Sequence, residues 1–504
     1  MGDNVVNRTS AYLYRIGFSY TFLLVGIVRG VILVPLYVES ISIELYGAWL
    51  ATGYLLAYLG LLDFGFTAVV QQQVAQQYGK KALEKVASIS SAGILIGIGF
   101  SGIVGALGYY LADYAPGFIG MTGPDAPILS KAISIGAVST AIMLLAYFPS
   151  AVLIALQRTA VNALLNLLTM ILGVATTYYC LNSKWGLLSL PIGSLVYAIT
   201  FLLGVSVYLY FVWGQDIGMQ PTLCRRDFQD LSSLSGFVFF GKVASRLISQ
   251  SDTIIVAKVM GPELAAIFSL TSRVKDQTMA IPHRIAALIV PNLAHLTGEG
   301  NVSRIKQIAW DALSATVGLT SLFAAGILAL NEAFVHLWVG NHLFGGVALT
   351  AGICIYYFLE MGRSALYNLL FALGEIRIPS LLGLVEAGLK IAFVIAGVHW
   401  LGLVGAPLGS IVALMVVNSV YLSRLFVRKF GITRADLSER SGELFVYPLI
   451  AFGIGATWSL LPSPQNWLVF SLNVLSLGGL LAILLWMFSP NLRRVAKSLI
   501  RRPL

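Results

Sequence analysis

Charge is what this sequence has least of. Only 11% of its 504 residues are Asp, Glu, Lys or Arg, against 58% hydrophobic. A mean hydropathy of +0.84 excludes a soluble globular chain, because apolar runs this frequent cannot all be packed inside a water-facing domain. Acids are scarcer than bases, 22 against 32, and the balance is +10. Cysteine is nearly absent. Cys180 and Cys354 lie in apolar runs and Cys224 in a basic loop, so there is neither a disulfide framework nor a metal-ligand spacing. The short alternating segments of an outer-membrane barrel are missing too. No small-residue cleavage site follows the first apolar core, which Arg29 interrupts, so that core is read as a retained span. GFVFFGK at 236–242 has the Gly and Lys spacing of a phosphate-binding loop, but Val243 follows and no strand precedes it. ATP chemistry, hydrolytic chemistry, a cofactor and a metal are therefore not expected.

What is present is apolar length. Runs of roughly 20 residues suffice to cross the hydrocarbon. Fourteen such spans are predicted, at 14–36, 46–70, 89–112, 131–155, 161–181, 186–213, 234–257, 264–295, 309–332, 347–370, 378–399, 402–425, 443–461 and 467–489. The expected fold class is an all-α polytopic membrane protein. Of the 32 Lys and Arg, 21 fall on one set of loops and the termini, among them Lys80, Lys81, Arg225, Arg226, Arg428 and Lys429. The opposite loops hold only Lys131, Lys184 and Lys258. That bias predicts both termini in the cytoplasm and accounts for the net charge without nucleic acid. The basic tail RRVAKSLIRR suits anionic membrane lipids.

The chain also repeats itself. GLLSLPIGSLV at 186–196 and GLVGAPLGSIV at 402–412 share six of eleven residues at an offset of 216. ALQRTAVNALLNLL (155–168) and ALGEIRIPSLLGLV (372–385) share five at an offset of 217, and LYGAW (45–49) aligns with LAAIF (264–268) at 219. An offset worth six spans relates two copies of like orientation, a parallel repeat. Three segments are expected: an N-lobe at 1–220, a C-lobe at 221–432, and an appended pair of spans with a basic tail at 433–504. Two like lobes across a central cavity is the plan of an alternating-access carrier.

Charges inside the spans mark the candidate site. The bases are Arg29, Lys242, Arg246, Arg273, Lys275, Arg284, Arg363 and Lys390; the acids are Asp63, Asp252, Asp276, Glu360 and Glu386. Each would cost roughly 2.5–3.5 kcal/mol at the bilayer centre if it faced lipid, so they must face protein or water. Arg273, Asp276 and Arg284 share one helix face, and Lys242 and Arg246 share another with Ser249 and Thr253. Glu360–Arg363 and Glu386–Lys390 are spaced for ion pairs within their helices. The acids are thus coupling or ion-pair candidates. The surplus of bases points to an anionic ligand, with Arg29, Lys242, Arg246, Arg273, Arg284, Arg363 and Lys390 as cavity-lining residues and Arg29 a partner for a phosphate or for Asp252.

LYGAWLATGYLLAYLGLLDFGFTAVVQQQVAQQYGKK (45–81) and SDTIIVAKVMGPELAAIFSLTSRV (251–274) resemble the polysaccharide repeat-unit flippases of the multidrug/oligosaccharidyl-lipid/polysaccharide (MOP) exporter superfamily. The resemblance runs through a twelve-helix core as a pattern, with Asp252 and Gly261 in the corresponding places. It implies an inner-membrane protein that moves undecaprenyl-pyrophosphate-linked oligosaccharide to the periplasmic leaflet by alternating access through a cationic lumen. It also implies a monomer that works beside a polysaccharide polymerase and a chain-length regulator. Many such flippases have twelve spans, whereas fourteen is the count of the lipid II flippase, so a lipid II flippase is the alternative. A cation-coupled drug antiporter stays open, with Asp63 its one candidate acid in the first lobe, and so does a membrane scaffold for polysaccharide assembly.

Overall fold

The structure is a computed structural model of the full chain. It describes residues 30–217, 225–283, 293, 302–375, 377–440, 442–489 and 493. Arg29 and Arg284 lie outside the described residues. Among those described there is no β-strand, and eight helical stretches are long and apolar enough to cross a membrane. The protein is an all-α polytopic membrane protein. Spans 1, 7, 8, 10 and 13 fall outside those eight, parts of spans 1 and 8 lying beyond the described residues, and spans 11 and 12 share the stretch Ile378–Val417. Spans 7, 8 and 10 are the ones that hold most of the intramembrane charges.

The chain divides into two compact units: Met1–Arg246 with Gly261–Ala265, and Leu247–Met260 with Ala266–Leu504. In the first unit α1 (Gly30–Ser40) is followed by α2 (Ile43–Leu59), whose N-cap Ser42 accepts the Leu45 N–H. The second expected span is not one helix. A 3₁₀ turn at Gly60–Asp63 and two left-handed residues, Phe64 (φ 47°) and Gly65 (φ 81°), separate α2 from α3 (Phe66–Gly79). Next come α4 (Leu83–Ala112), the short α5 (Ala115–Phe118), α6 (Ala126–Ala155), α7 (Thr159–Asn182) and α8 (Ser189–Val212). Phe66, Val70, Phe148, Val152, Phe201 and Val205 form the core of this unit. Burying such side chains is worth roughly 1.5–3 kcal/mol each against water, but in lipid close packing decides. A glycine supplies it where α7 and α8 meet. A Cβ on Gly193 would lie 1.8 Å from Thr177 Oγ1 and 2.7 Å from the Gly173 carbonyl.

α9 (Arg225–Met260) carries the chain out of the first unit, the division falling at 246/247. In the described part of the expected eighth span, α10 (Pro262–Thr271) and α11 (Arg273–Thr278) follow one another with an interruption at Ser272; residues 284–292 of that span lie outside the described residues. The second unit continues with α12 (Val302–Val339), α13 (Val347–Ala372), α14 (Arg377–Leu401) and α15 (Gly405–Val417). A π-helical turn at Asn418–Leu422 joins α15 to α16 (Ser423–Phe430), with α17 (Arg434–Glu439) beyond. The last two spans are α18 (Tyr447–Trp458) and α19 (Trp467–Phe488). Tyr447, Ala451, Leu477 and Leu481 pack with Ala325 and Leu330 of α12, so both helices are part of this unit's core.

The repeat is visible in backbone conformation. Gly186 (φ 54°) and Gly402 (φ 63°), 216 residues apart, each open the 3₁₀ turn before the paired helices α8 and α15. Gln157 (φ 62°) and Gly374 (φ 82°), 217 apart, sit just past the ends of α6 and α13. The glycine crossing recurs too: a Cβ on Gly409 would lie 2.4 Å from the Phe393 carbonyl, and Gly409 and Phe393 each stand 216 residues after Gly193 and Thr177.

Candidate functional site: a cationic cavity and two buried charge clusters

The first unit holds a cavity of about 720 Å³. α2 and the 3₁₀ turn contribute Ala57, Leu61 and Asp63; α6 contributes Ser139, Thr140, Met143 and Tyr147 along one face; α8 contributes Ser194 and Tyr197. α9 adds Lys242, Ser245 and Arg246. The Lys242 ammonium sits 3.0 and 3.3 Å from the two Asp63 oxygens. Lys242 is still 37% exposed, whereas Asp63 is at 6%. One side of the ammonium is therefore neutralised and the other opens to the cavity. Arg246 also lines it, and its carbonyl accepts the Tyr58 hydroxyl at 3.5 Å. The Tyr197 hydroxyl donates to Asn166 Oδ1 at 2.8 Å. Two bases and one acid surrounded by hydroxyls and tyrosine faces suit a ligand that is both anionic and rich in hydroxyl groups.

The backbone break places Asp63. Its carboxylate accepts the Gly65 N–H at 2.9 Å. Gly65 takes its left-handed conformation without steric cost, but Phe64 does not; a residue with a Cβ pays about 1–2 kcal/mol there. The Phe64 ring is held against Phe239 and Phe100, with centroids 4.7 and 5.5 Å apart. The break is fixed from both sides, by aromatic packing and by the aspartate.

The second unit handles its charges differently. Glu360 takes two hydrogen bonds from Arg363, from Nε at 2.8 Å and Nη2 at 2.5 Å. Glu386 lies 3.5 Å from the same Nε and accepts Asn418 Nδ2 at 2.8 Å. His283 Nδ1 and the Ser364 hydroxyl are 3.1 Å apart at the edge of this cluster. Lys390, 1% exposed, donates to the Ile248 carbonyl and to Asp252 at 3.0 Å, and lies 3.1 Å from the Tyr356 hydroxyl. Ser410 reaches Asp252 at 3.4 Å. A buried base with its acid in place is a structural element: charge removed from lipid and water alike is tolerable only when paired.

Several sequence expectations change here. Arg363 and Lys390 were expected to line a cavity, and each is instead closed into ion pairs inside its own unit. The Glu360–Arg363 pair forms as its spacing suggests, but Glu386 pairs with Arg363 rather than Lys390. The reason is reach: Lys390 is drawn to α9, where Asp252 and the Ile248 carbonyl supply two oxygens. Asp252, thought a partner for Arg29, is occupied by Lys390, and Asp63 by Lys242. Asp276 pairs with its neighbour Lys275 at 2.7 Å, and Arg273 is half-buried with no hydrogen-bond partner for Nε among the described residues. The sequence reading missed Tyr147, Tyr197, Ser139, Thr140, Tyr356 and Asn418. The run Ser139, Thr140, Met143 and Tyr147 has helical spacing and was the legible signal; Asn418 ends α15 in helical conformation, and its partner Glu386 lies on another helix, which spacing does not reveal.

Among the described residues, membrane-length apolar helices of the first unit surround a polar, cationic cavity. The same fold is found in an inward-facing MATE family multidrug resistance transporter of the MOP superfamily, with a TM-score of 0.63, 16% identity, and 81% of this chain and 99% of that one covered. It is found in the lipid II flippase MurJ in an inward closed conformation, at 0.69 and 18% identity, covering 97% of this chain and 100% of that one. It is found again in a point mutant of the Vibrio cholerae MATE transporter VcmN, at 0.57 and 15%, covering 84% and 98%. No curated protein matches the sequence. Residues 16–291 match the family of polysaccharide biosynthesis proteins, and the chain belongs to that family.

Proposed function

We propose that this protein is a flippase that carries polyprenyl-pyrophosphate-linked oligosaccharide repeat units across the bacterial inner membrane by alternating access. The undecaprenyl-linked intermediate of an exopolysaccharide or O-antigen is the substrate that fits best. The observation that carries this reading is the cavity of the first unit. Lys242 and Arg246 suit the pyrophosphate, and the Ser, Thr and Tyr side chains beside them suit sugar hydroxyls. The membership in a polysaccharide biosynthesis family supports the same substrate class. Termini in the cytoplasm follow from the Lys/Arg bias, and on this reading the substrate moves toward the periplasmic leaflet, where a polymerase and chain-length regulator would receive it.

A second reading, export of lipid II, is favoured by the match to MurJ, which extends over 97% of this chain. The two are separated by complementation. Restoration of surface polysaccharide in a strain lacking its repeat-unit flippase supports the first; rescue of viability in a strain depleted of its lipid II flippase supports the second. Rescue of neither, with the protein present in the membrane of both strains, would count against both. Lys242→Ala and Arg246→Ala should each abolish whichever rescue is seen.

A further inference from the structure

We propose that Asp63 is a built-in counter-ion which the phosphate of an incoming ligand must displace from Lys242, and that its displacement loosens the break between α2 and α3. This rests on the reading of the cavity as the site of an anionic lipid headgroup. Three observations carry it. First, Asp63 holds the Lys242 ammonium with both oxygens, at 3.0 and 3.3 Å, on the cavity wall. A ligand anion therefore meets a lysine already neutralised and must compete with a tethered carboxylate of like charge. Second, Lys242 remains 37% exposed, so the competitor has a path to it. Third, the same carboxylate accepts the Gly65 N–H at 2.9 Å, between a left-handed Phe64 and the first turn of α3. The group that the ligand must move is thus also a group that holds the backbone break.

The exchange has two consequences. It makes the site selective: a ligand without negative charge cannot repay the loss of the Lys242–Asp63 pair, and so leaves the pair closed. It also links occupancy to conformation, because a carboxylate drawn off Lys242 by electrostatic repulsion no longer sits where it caps Gly65. When the headgroup leaves, Asp63 returns to the lysine and assists release. Asp63 is in this sense a specificity-determining and positioning residue and makes no direct contact with the ligand.

The test uses the full chain in lipid nanodiscs, with farnesyl pyrophosphate as probe and farnesol as the uncharged control. Calorimetric binding should favour the pyrophosphate. Asp63→Asn removes the competing charge and should tighten pyrophosphate binding about three- to fivefold, the range of a partly exposed ion pair. Lys242→Ala should weaken it on the order of tenfold, as truncating one partner of a charge pair does. Asp63→Glu, which keeps the charge, should gain nothing. If wild type binds farnesol as well as the pyrophosphate, the reading of the cavity fails. If wild type discriminates but Asp63→Asn binds no tighter, the counter-ion proposal fails alone. The wild-type protein gives a check independent of any variant's folding. Ligand-induced infrared difference spectra should show a carboxylate stretch changing on addition of farnesyl pyrophosphate, and a spectrum without that change would overturn the proposal.

Discussion

Replacing Lys390 by methionine decides between two descriptions of the second unit. Methionine keeps the length of the stem, so little packing is lost, and the change is essentially the removal of one ammonium. Lys390 is 1% exposed, and Asp252 has a side-chain exposure of 15%. Without the ammonium, the Asp252 carboxylate keeps, among the described residues, the Ser410 hydroxyl at 3.4 and 3.5 Å. The Ile248 carbonyl and the Tyr356 hydroxyl also lose a partner. Breaking a buried pair from one side costs about 3–5 kcal/mol, most of it the penalty of the charge left behind. Asp252→Asn in the same background removes that charge. The double variant Asp252→Asn, Lys390→Met should therefore recover most of the loss, since a buried pair is worth little against a neutral replacement. The assay is denaturant-induced unfolding in bicelles for wild type, both single variants and the double, read as a double-mutant cycle. Should Lys390→Met fall within about 1 kcal/mol of wild type, the pair behaves as a solvated one, and Lys390 faces water as the sequence alone suggests.

Three further predictions follow from packing, charge and topology. Gly193→Ala and Gly409→Ala should each destabilise the protein by about 1–3 kcal/mol through overpacking, since the added carbon meets the Gly173 carbonyl at 2.7 Å in one case and the Phe393 carbonyl at 2.4 Å in the other; Thr177→Ala should relieve only part of the first, and melting curves would show it. Asp436 accepts from Lys306 at 2.6 Å and forms a capping box with Thr433, contacts that hold its carboxyl well below the usual carboxylate range. Its contribution is therefore present above the unfolded value and lost only as pH falls through the lower folded one: Asp436→Asn should lower the melting temperature at neutral pH and still at about pH 4, with the deficit closing in stronger acid. On a background lacking native cysteine, Lys80→Cys should be labelled by an impermeant maleimide only after the membrane is opened, and Asp125→Cys in intact spheroplasts; the reverse pattern would invert the topology taken from the Lys/Arg bias.

The helices were legible because apolar length is a direct consequence of crossing a bilayer, and the repeat was legible because its close crossings need the same small residues twice. Gly193 and Gly409 stand in matched positions in both sequence and structure. The break at Asp63–Gly65 was not legible, since LLDFGF reads as part of one apolar span and its left-handed Phe64 is sustained by Phe100 and Phe239, 36 and 175 residues away. The charged positions were found, but their partners on other helices were not. Spacing identifies pairs within one helix, as with Glu360 and Arg363, and is blind to a carboxylate on another, as with Asp252 and Lys390. Counting surplus bases consequently pointed at the whole set, whereas the described geometry leaves Lys242 and Arg246 on a cavity and closes Arg363 and Lys390.

The π-helical turn at Asn418–Leu422 has a consequence for how this chain can change length. Such a turn accommodates one residue more than an α-turn, and in an α-helix each residue advances the direction of the side chain by about 100°. Upstream of it, Ser410 reaches Asp252, and at its first residue Asn418 donates to Glu386. Downstream, Leu422, Phe426 and Phe430 are buried beside Trp310. Both sets point inward with the extra residue in place. Losing one residue between 418 and 422 would barely shorten the helix, but it would turn one set away from the interior. Either Glu386 would lose its amide donor or three large apolar side chains would leave their core. Here a deletion is felt as an angle, and the unit must choose which half of the helix to keep in phase.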